Sequence, residues 1–192
     1  MACKQNSGVS GQFRNQRRKR RQNLACGPKP VRVRRIRMKN FKVRRALPSD
    51  LPKINSLIEL AVINWPMAKR VKRLAVPVLQ YDETDLAFLE VHVANYKDEV
   101  VGIAAWDATT SQNLPNGQGG LFHGLYVLPL IQGQGVGEKL MQAVFEDARA
   151  RQGNGLLIKA QRGSKDYFAH QGIPALAAND GEYPWQYWKE LA

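Results

Sequence analysis

Cysteine is scarce in this sequence. Only 2 of 192 residues are Cys, and both, Cys3 and Cys26, lie among the first 40. That is too few for a disulfide framework. With no CxxC pair and no neighbouring histidine, they read as free thiols, and no metal site is expected. Long apolar runs are missing too: none reaches the ~18 residues that would span a membrane, so no membrane partner is expected. Acidic residues are absent from the N-terminus. Residues 1–40 hold 13 of the 29 Lys+Arg and no Asp or Glu.

The other 16 basic residues and all 16 acidic ones fall in residues 41–192, so the formal charge of +13 belongs to the first 40 residues. The expectation is a neutral folded domain over 41–192 behind a disordered basic leader over 1–40. Zero net charge on the domain speaks against a nucleic-acid face there. The leader has several readings. It can contact nucleic acid non-specifically through phosphates, carry a localisation or transit signal, or be a solvated extension. Translation from Met38, just before the folded pattern, is another. The expected location is cytoplasmic.

Within 41–192 the periodicities alternate in type. Residues 41–47 alternate as a strand. Ile54, Leu57, Ile58, Ala61 and Val62 recur at helical spacing, with Ser49 or Asp50 available as a cap. A weaker helix covers 67–75, before Pro77. Residues 88–95 and 100–106 read as a hairpin around Lys97-Asp98-Glu99. Residues 107–119 are rich in Thr, Ser, Asn, Gly and Pro and read as a long loop. Residues 121–127 are a buried strand. An amphipathic helix starts at Val136, with Leu140, Met141, Val144, Phe145 and Ala148 on one side. A strand at 156–160, a short helix at 164–170 and a last strand at 185–191 follow. The order β-α-α-β-β-β-α-β-α-β is mixed α/β, and no internal repeat is visible.

The chemistry concentrates at Gln132-Gly133-Gln134-Gly135-Val136-Gly137, which joins a buried strand to a helix. Glycines there take positive φ and let a ligand approach the backbone. The helix N-terminus adds free N–H groups and a positive dipole end, which suits a pyrophosphate. An ordinary tight turn would use the same residues. A Walker A loop is excluded, because Gly137 is followed by Glu138-Lys139-Leu140. A dinucleotide fingerprint is excluded by its last spacing and by its late position in the chain.

What remains is Gln-x-x-Gly-x-Gly after a strand ending Leu125-Tyr126-Val127-x-Pro129. Together with the element order, Val100-Val101-Gly102 and the short helix ending at Gly172-Ile173, this resembles the GNAT N-acetyltransferase superfamily over residues 41–191. The resemblance implies a mostly antiparallel mixed sheet flanked by helices, and acetyl-CoA as co-substrate. It implies that Leu125, Tyr126 and Val127 offer backbone groups to the pantetheine arm. Backbone N–H groups of Gln132, Gly133, Gln134, Gly135, Val136 and Gly137 would hold the pyrophosphate. The strands at 121–127 and 156–160 would splay to admit the thioester.

Two side chains are candidate catalysts. His123 is a candidate base, since a neutral imidazole has a reference pKa of ~6.5. Strand alternation would put it on the face of Leu125. Its competing reading is a core or loop-facing histidine with one hydrogen bond. Relatives often carry a Tyr four residues before the glycine that ends the short helix. Here that position is Phe168, which cannot donate a proton. Its neighbour Tyr167 is the candidate acid, although it points about 100° away on the helix.

The resemblance implies an amine on a small molecule or peptide as acceptor. Its site would draw on Trp65, Tyr81, Asp82, Glu83, Asp85, Tyr183, Trp185, Tyr187 and Trp188. Two other functions stay open: an acyl-CoA-binding sensor without catalysis, and an RNA- or ribosome-associated protein acting through its leader. The oligomeric state is open, a dimer included.

Overall fold

The computed structural model describes residues 40–161, 163–177 and 183–191. The expected leader, Asn40 apart, lies outside them. Six strands form one sheet in chain order: β1 (Lys42–Arg45), β2 (Leu89–Tyr96), β3 (Glu99–Leu114), β4 (Gly117–Val127), β5 (Gly155–Ala160) and β6 (Trp185–Glu190). Neighbours are antiparallel except β4 and β5, which run parallel. That one parallel pair needs a crossover, and helix α4 (Val136–Ala150) supplies it. The mixed α/β expectation holds.

Each face of the sheet carries its own core. Helix α1 (Leu51–Ile63) buries Ile54, Leu57, Ile58, Ala61 and Val62, the stripe read from the sequence, against Val91, Val93, Ile103 and Ala105. Helix α4 buries Val136, Leu140, Met141, Val144 and Ala148 on the opposite face, against Val101, Ala104, Trp106 and Phe122. Central strand β3 is covered on both sides, and Val100–Trp106 is buried throughout, which explains its unbroken apolar run. Each fully buried Ile or Leu contributes about 1.5–3 kcal/mol.

Four expectations change. Residues 107–119 are not one long loop: β3 and β4 extend into a hairpin, with Gln112 opposite Gly119 and Leu114 opposite Gly117, while 108–111 stand outside the pairing. The segment is polar because most of its side chains face solvent, while Leu114 at its tip packs on Leu157 and Trp188. The second helix, α2 (Lys69–Leu79), runs through Pro77. A further helix, α3 (Glu83–Phe88), follows it, closed by a reciprocal cap in which the Asp82 and Asp85 carboxylates accept from each other's backbone N–H, each at 2.9 Å. Asp50 does not cap α1 with its side chain. It takes a two-pronged ion pair from Arg44, at 2.6 and 2.9 Å, and the Leu47 N–H at 2.8 Å. These bonds hold its carboxyl below the usual range, with the Arg44 bond the largest cause.

Candidate functional site

The site lies where β4 and β5 part. Their pairing covers only Gly120, Phe122 and Leu121 against Leu156–Ile158. Beyond it, β4 keeps its bonds to β3 as far as Val127, opposite Gly102. The edge of β4 from His123 to Val127 therefore has no strand beside it among the described residues. An extended ligand can pair there as another strand would. The Val127 carbonyl already accepts the Gln132 Nε2 amide at 3.2 Å.

That edge leads through a short 3-10 turn, Pro129–Ile131, into the glycine turn and α4. Gly133 and Gly135 have φ of 74° and 81°, a region that disfavours a side chain. Gly135 is the N-cap of α4, and no side chain caps it. The first-turn N–H groups of α4 are left without helix partners. A Cβ on Gly135 would meet nothing within 4 Å. An uncapped N-terminus under open space suits an anion.

Tyr167 comes from α5 (Lys165–His170) to the same helix end. Its hydroxyl lies 2.7 Å from where a Cβ on Gly137 would be, and Leu125 Cδ2 is 3.7 Å from that point. The Tyr167 hydroxyl is buried and has no hydrogen-bond partner. Loss of solvent, then the nearby Glu138 charge, pushes its pKa up to about 12. The hydroxyl stays protonated at neutral pH. Phe168 turns instead into the core, onto Phe122 and Tyr187.

His123 is placed differently from the expectation. In the β3–β4 register Ala105 faces Gly124 and Trp106 faces Phe122, so His123 is the extra residue of a β-bulge. The bulge resets the alternation. Leu125 packs on the α4 side, whereas His123 meets Tyr81, a member of the α1-side core. Tyr81 Oη lies 3.2 Å from His123 Nδ1, and the rings meet edge to face at 5.7 Å. His123 is exposed at its outer edge. Partial loss of solvent lowers its pKa below 6.5, against the raising effect of Asp85 and Asp107. The ring is neutral at neutral pH and free to accept a proton.

The expected acceptor side is only partly assembled. Trp65, at the end of α1, stacks on Tyr126 at 6.4 Å and 15°. Tyr126 is pushed up to about 12, chiefly by burial and then by Tyr183. Asp82 and Asp85 are engaged in the α3 cap. Tyr187 and Trp188 are buried core anchors, the Tyr187 hydroxyl donating to the Lys165 carbonyl at 2.8 Å. Trp185 packs beside the Lys165 ammonium, 5.4 Å from its ring centre. The sequence reading missed Asn55 of α1, whose side-chain amide brackets the Tyr81 peptide at 2.8 Å on both its N–H and its carbonyl. A lone Asn between helical apolar positions carries no mark that would reveal this.

Solved structures share this fold at low sequence identity. A PaiA N-acetyltransferase from Thermoplasma acidophilum, in complex with coenzyme A, matches with a TM-score of 0.65 and 10% identity, over 79% of this chain and 99% of that one. A GCN5-related N-acetyltransferase from Rhodopseudomonas palustris matches at 0.63 and 21%, over 80% and 98%. A GNAT family acetyltransferase from Brucella melitensis, in complex with acetyl-CoA, matches at 0.58 and 19%, over 80% and 89%. No curated protein matches the sequence. The family model described as acetyltransferase (GNAT) family matches residues 54–173, more than half of the chain and all of the strand, glycine turn and helix just described, and the chain belongs to that family.

Proposed function

We propose that this protein is an acetyl-CoA-dependent N-acetyltransferase acting on an amine of a small molecule or peptide. The observation that carries the reading is the unpaired edge of β4 running into an uncapped α4 N-terminus. Leu125, Tyr126 and Val127 would pair with the pantetheine arm, and Gln132 would release the Val127 carbonyl to it. Backbone N–H groups from Gln132 through Gly137 would hold the pyrophosphate. The described residues fit the ligand: positive-φ glycines without Cβ atoms line the approach, and the buried Tyr167 hydroxyl waits beside it without a partner. Acetyl-CoA supplies an acetyl group already activated as a thioester.

The chain's own part is proton handling and orientation. A primary ammonium must lose two protons to become an amide. His123 takes one and passes it to water. Tyr167 protonates the departing sulfur and is refilled by the other. Backbone N–H groups at the splay stabilise the charge that develops on the carbonyl oxygen. Phe168 in the usual acid position does not argue for a sensor, because Tyr167 reaches the α4 end from the next position. The family match and the CoA-bound relatives support the reading.

Calorimetric titration with acetyl-CoA, followed by release of free thiol with a panel of amines, tests it. Binding and turnover with at least one amine are expected. No binding at millimolar ligand removes the proposal. Binding without turnover on any amine turns it into an acyl-CoA sensor.

A further inference from the structure

We infer that Tyr81 and Asn55 are positioning residues for His123: Asn55 pins the Tyr81 peptide, and the Tyr81 hydroxyl holds Nδ1, leaving Nε2 as the nitrogen available to the acceptor. The inference rests on the proposed role of His123 as proton acceptor.

His123 is the bulge residue of β4, so it lacks the cross-strand neighbour that steadies an ordinary strand side chain. Its Nε2 has no hydrogen-bond partner among the described residues. Its orientation therefore falls to the one bond it makes, from Nδ1 to Tyr81. Tyr81 is 5% exposed, and among the described residues its hydroxyl has no partner but His123. A buried phenol keeps its hydroxyl at a cost unless the group is used. Here it is used on the imidazole. Burial also pushes the Tyr81 pKa far above its ordinary value, so the phenol stays neutral. A hydroxyl both donates and accepts. In the tautomer that carries its hydrogen on Nδ1, the ring donates to the phenol oxygen and Nε2 is bare, ready to take the amine's proton. The phenol oxygen then accepts from Nδ1–H of the imidazolium.

Tyr81 itself stands between α2 and α3, outside any helix or strand. The Asn55 amide supplies what a strand would, donating to the Tyr81 carbonyl and accepting from its N–H. The chain Asn55–Tyr81–His123 thus ties the exposed imidazole to helix α1, whose inner face is packed on the sheet.

The test uses the full chain carrying Tyr81→Phe, Asn55→Ala or His123→Gln. Each is titrated with acetyl-CoA, assayed against pH with the best amine of the panel, and followed by nitrogen-15 NMR of the histidine ring where His123 remains. Tyr81→Phe should bind acetyl-CoA within about twofold of the parent and lose kcat by about tenfold or more, with a smaller change in the amine KM. Its His123 titration and the ascending limb of kcat/KM should move to lower pH, because the imidazolium loses its acceptor. Asn55→Ala should move both in the same direction by less, and it carries the test if Tyr81→Phe does not fold. An unchanged His123 titration in Tyr81→Phe overturns the inference. Full kcat in His123→Gln overturns the base role instead, while the NMR titration still decides whether Tyr81 holds the ring.

Discussion

Tyr167 Oη and Gly137 are matched in size: a Cβ on Gly137 would lie 2.7 Å from the hydroxyl and 3.4 Å from the ring carbon that bears it. Only the oxygen is too close, so the conflict is with the hydroxyl and not with the ring.

Gly137→Ala should therefore displace Tyr167. Alanine gains helix propensity in the first turn of α4, up to about 1 kcal/mol, but overpacking costs about 1–3 kcal/mol. Net destabilisation and a fall in kcat are expected. Tyr167→Phe removes an unpartnered buried hydroxyl, so its stability should hold or rise by as much as about 1 kcal/mol while kcat falls. In the double variant the clash is gone, and urea unfolding should place its stability above that of Gly137→Ala alone. Additive stability losses would show that the two residues do not meet.

The phosphate cradle can be tested without confusing charge with strain. Gly135 has positive φ, so any side chain there is strained, yet the space above it is open. Gly135→Glu and Gly135→Gln share the strain and nearly the same shape. They differ by one negative charge at the helix N-terminus. By calorimetry the Glu variant should bind CoA about tenfold or more weakly than the Gln variant. Equal affinities would move the pyrophosphate elsewhere.

Acid stability should track His92. This residue is 7% exposed, and its Nε2 lies 3.5 Å from Asp147 Oδ2. Loss of solvent lowers its pKa below 6.5 despite the Asp147 carboxylate, and the Arg45 and Arg151 charges add to the lowering. The folded ring is neutral where the unfolded one begins to bind a proton. Its contribution is present above pH 6.5 and is lost as pH falls from there through the native pKa. His92→Gln should lower stability at about pH 7.5 and flatten the fall toward about pH 5, as read from urea midpoints. An unchanged slope would assign the acid limb to other groups, such as Asp147 and Asp50, whose carboxyls are also held below their usual range.

How far the sequence could be read depended on what each segment buries. The α1 and α4 stripes and the two-sided strand β3 were legible because apolar periodicity reports burial directly. The glycine turn was legible because positive φ selects glycine. The arm of β3 and β4 was not, because a hairpin whose side chains mostly face solvent has no apolar alternation, and a segment rich in Ser, Asn, Gly and Pro reads as a loop although Thr favours strands. Helix α3 was signalled by Asp82 and Asp85, three residues apart in a cap pattern, although the resemblance implies both for the acceptor site. The misplacement of His123 has a different cause. A bulge inserts one residue in one strand and reverses faces beyond it, and only the partner strand's register reveals that. For the aromatics Tyr187 and Trp188 the sequence leaves both readings open, ligand contact and core anchor, because composition cannot tell a ring in the core from a ring at a mouth.

The last prediction concerns the N-terminal residues. A chain beginning at Met38 loses 12 of the 29 Lys+Arg and no acidic residue. It retains every element from β1 onward, both cores, the β4 edge and the α4 N-terminus. We propose that this chain folds, binds acetyl-CoA and turns over like the full one, and that nucleic-acid binding, where present, belongs to the leader. The leader's only aromatic is Phe13. Base stacking is therefore slight, and any such binding should be electrostatic, falling steeply with salt and showing little sequence preference. Fluorescence anisotropy with a labelled single-stranded RNA, for both chains across a salt series, reads this directly. A lower Tm or weaker acetyl-CoA binding in the shorter chain would show that the leader supports the domain. RNA binding that survives the truncation would place a nucleic-acid face on residues 41–192, where 16 basic and 16 acidic side chains cancel.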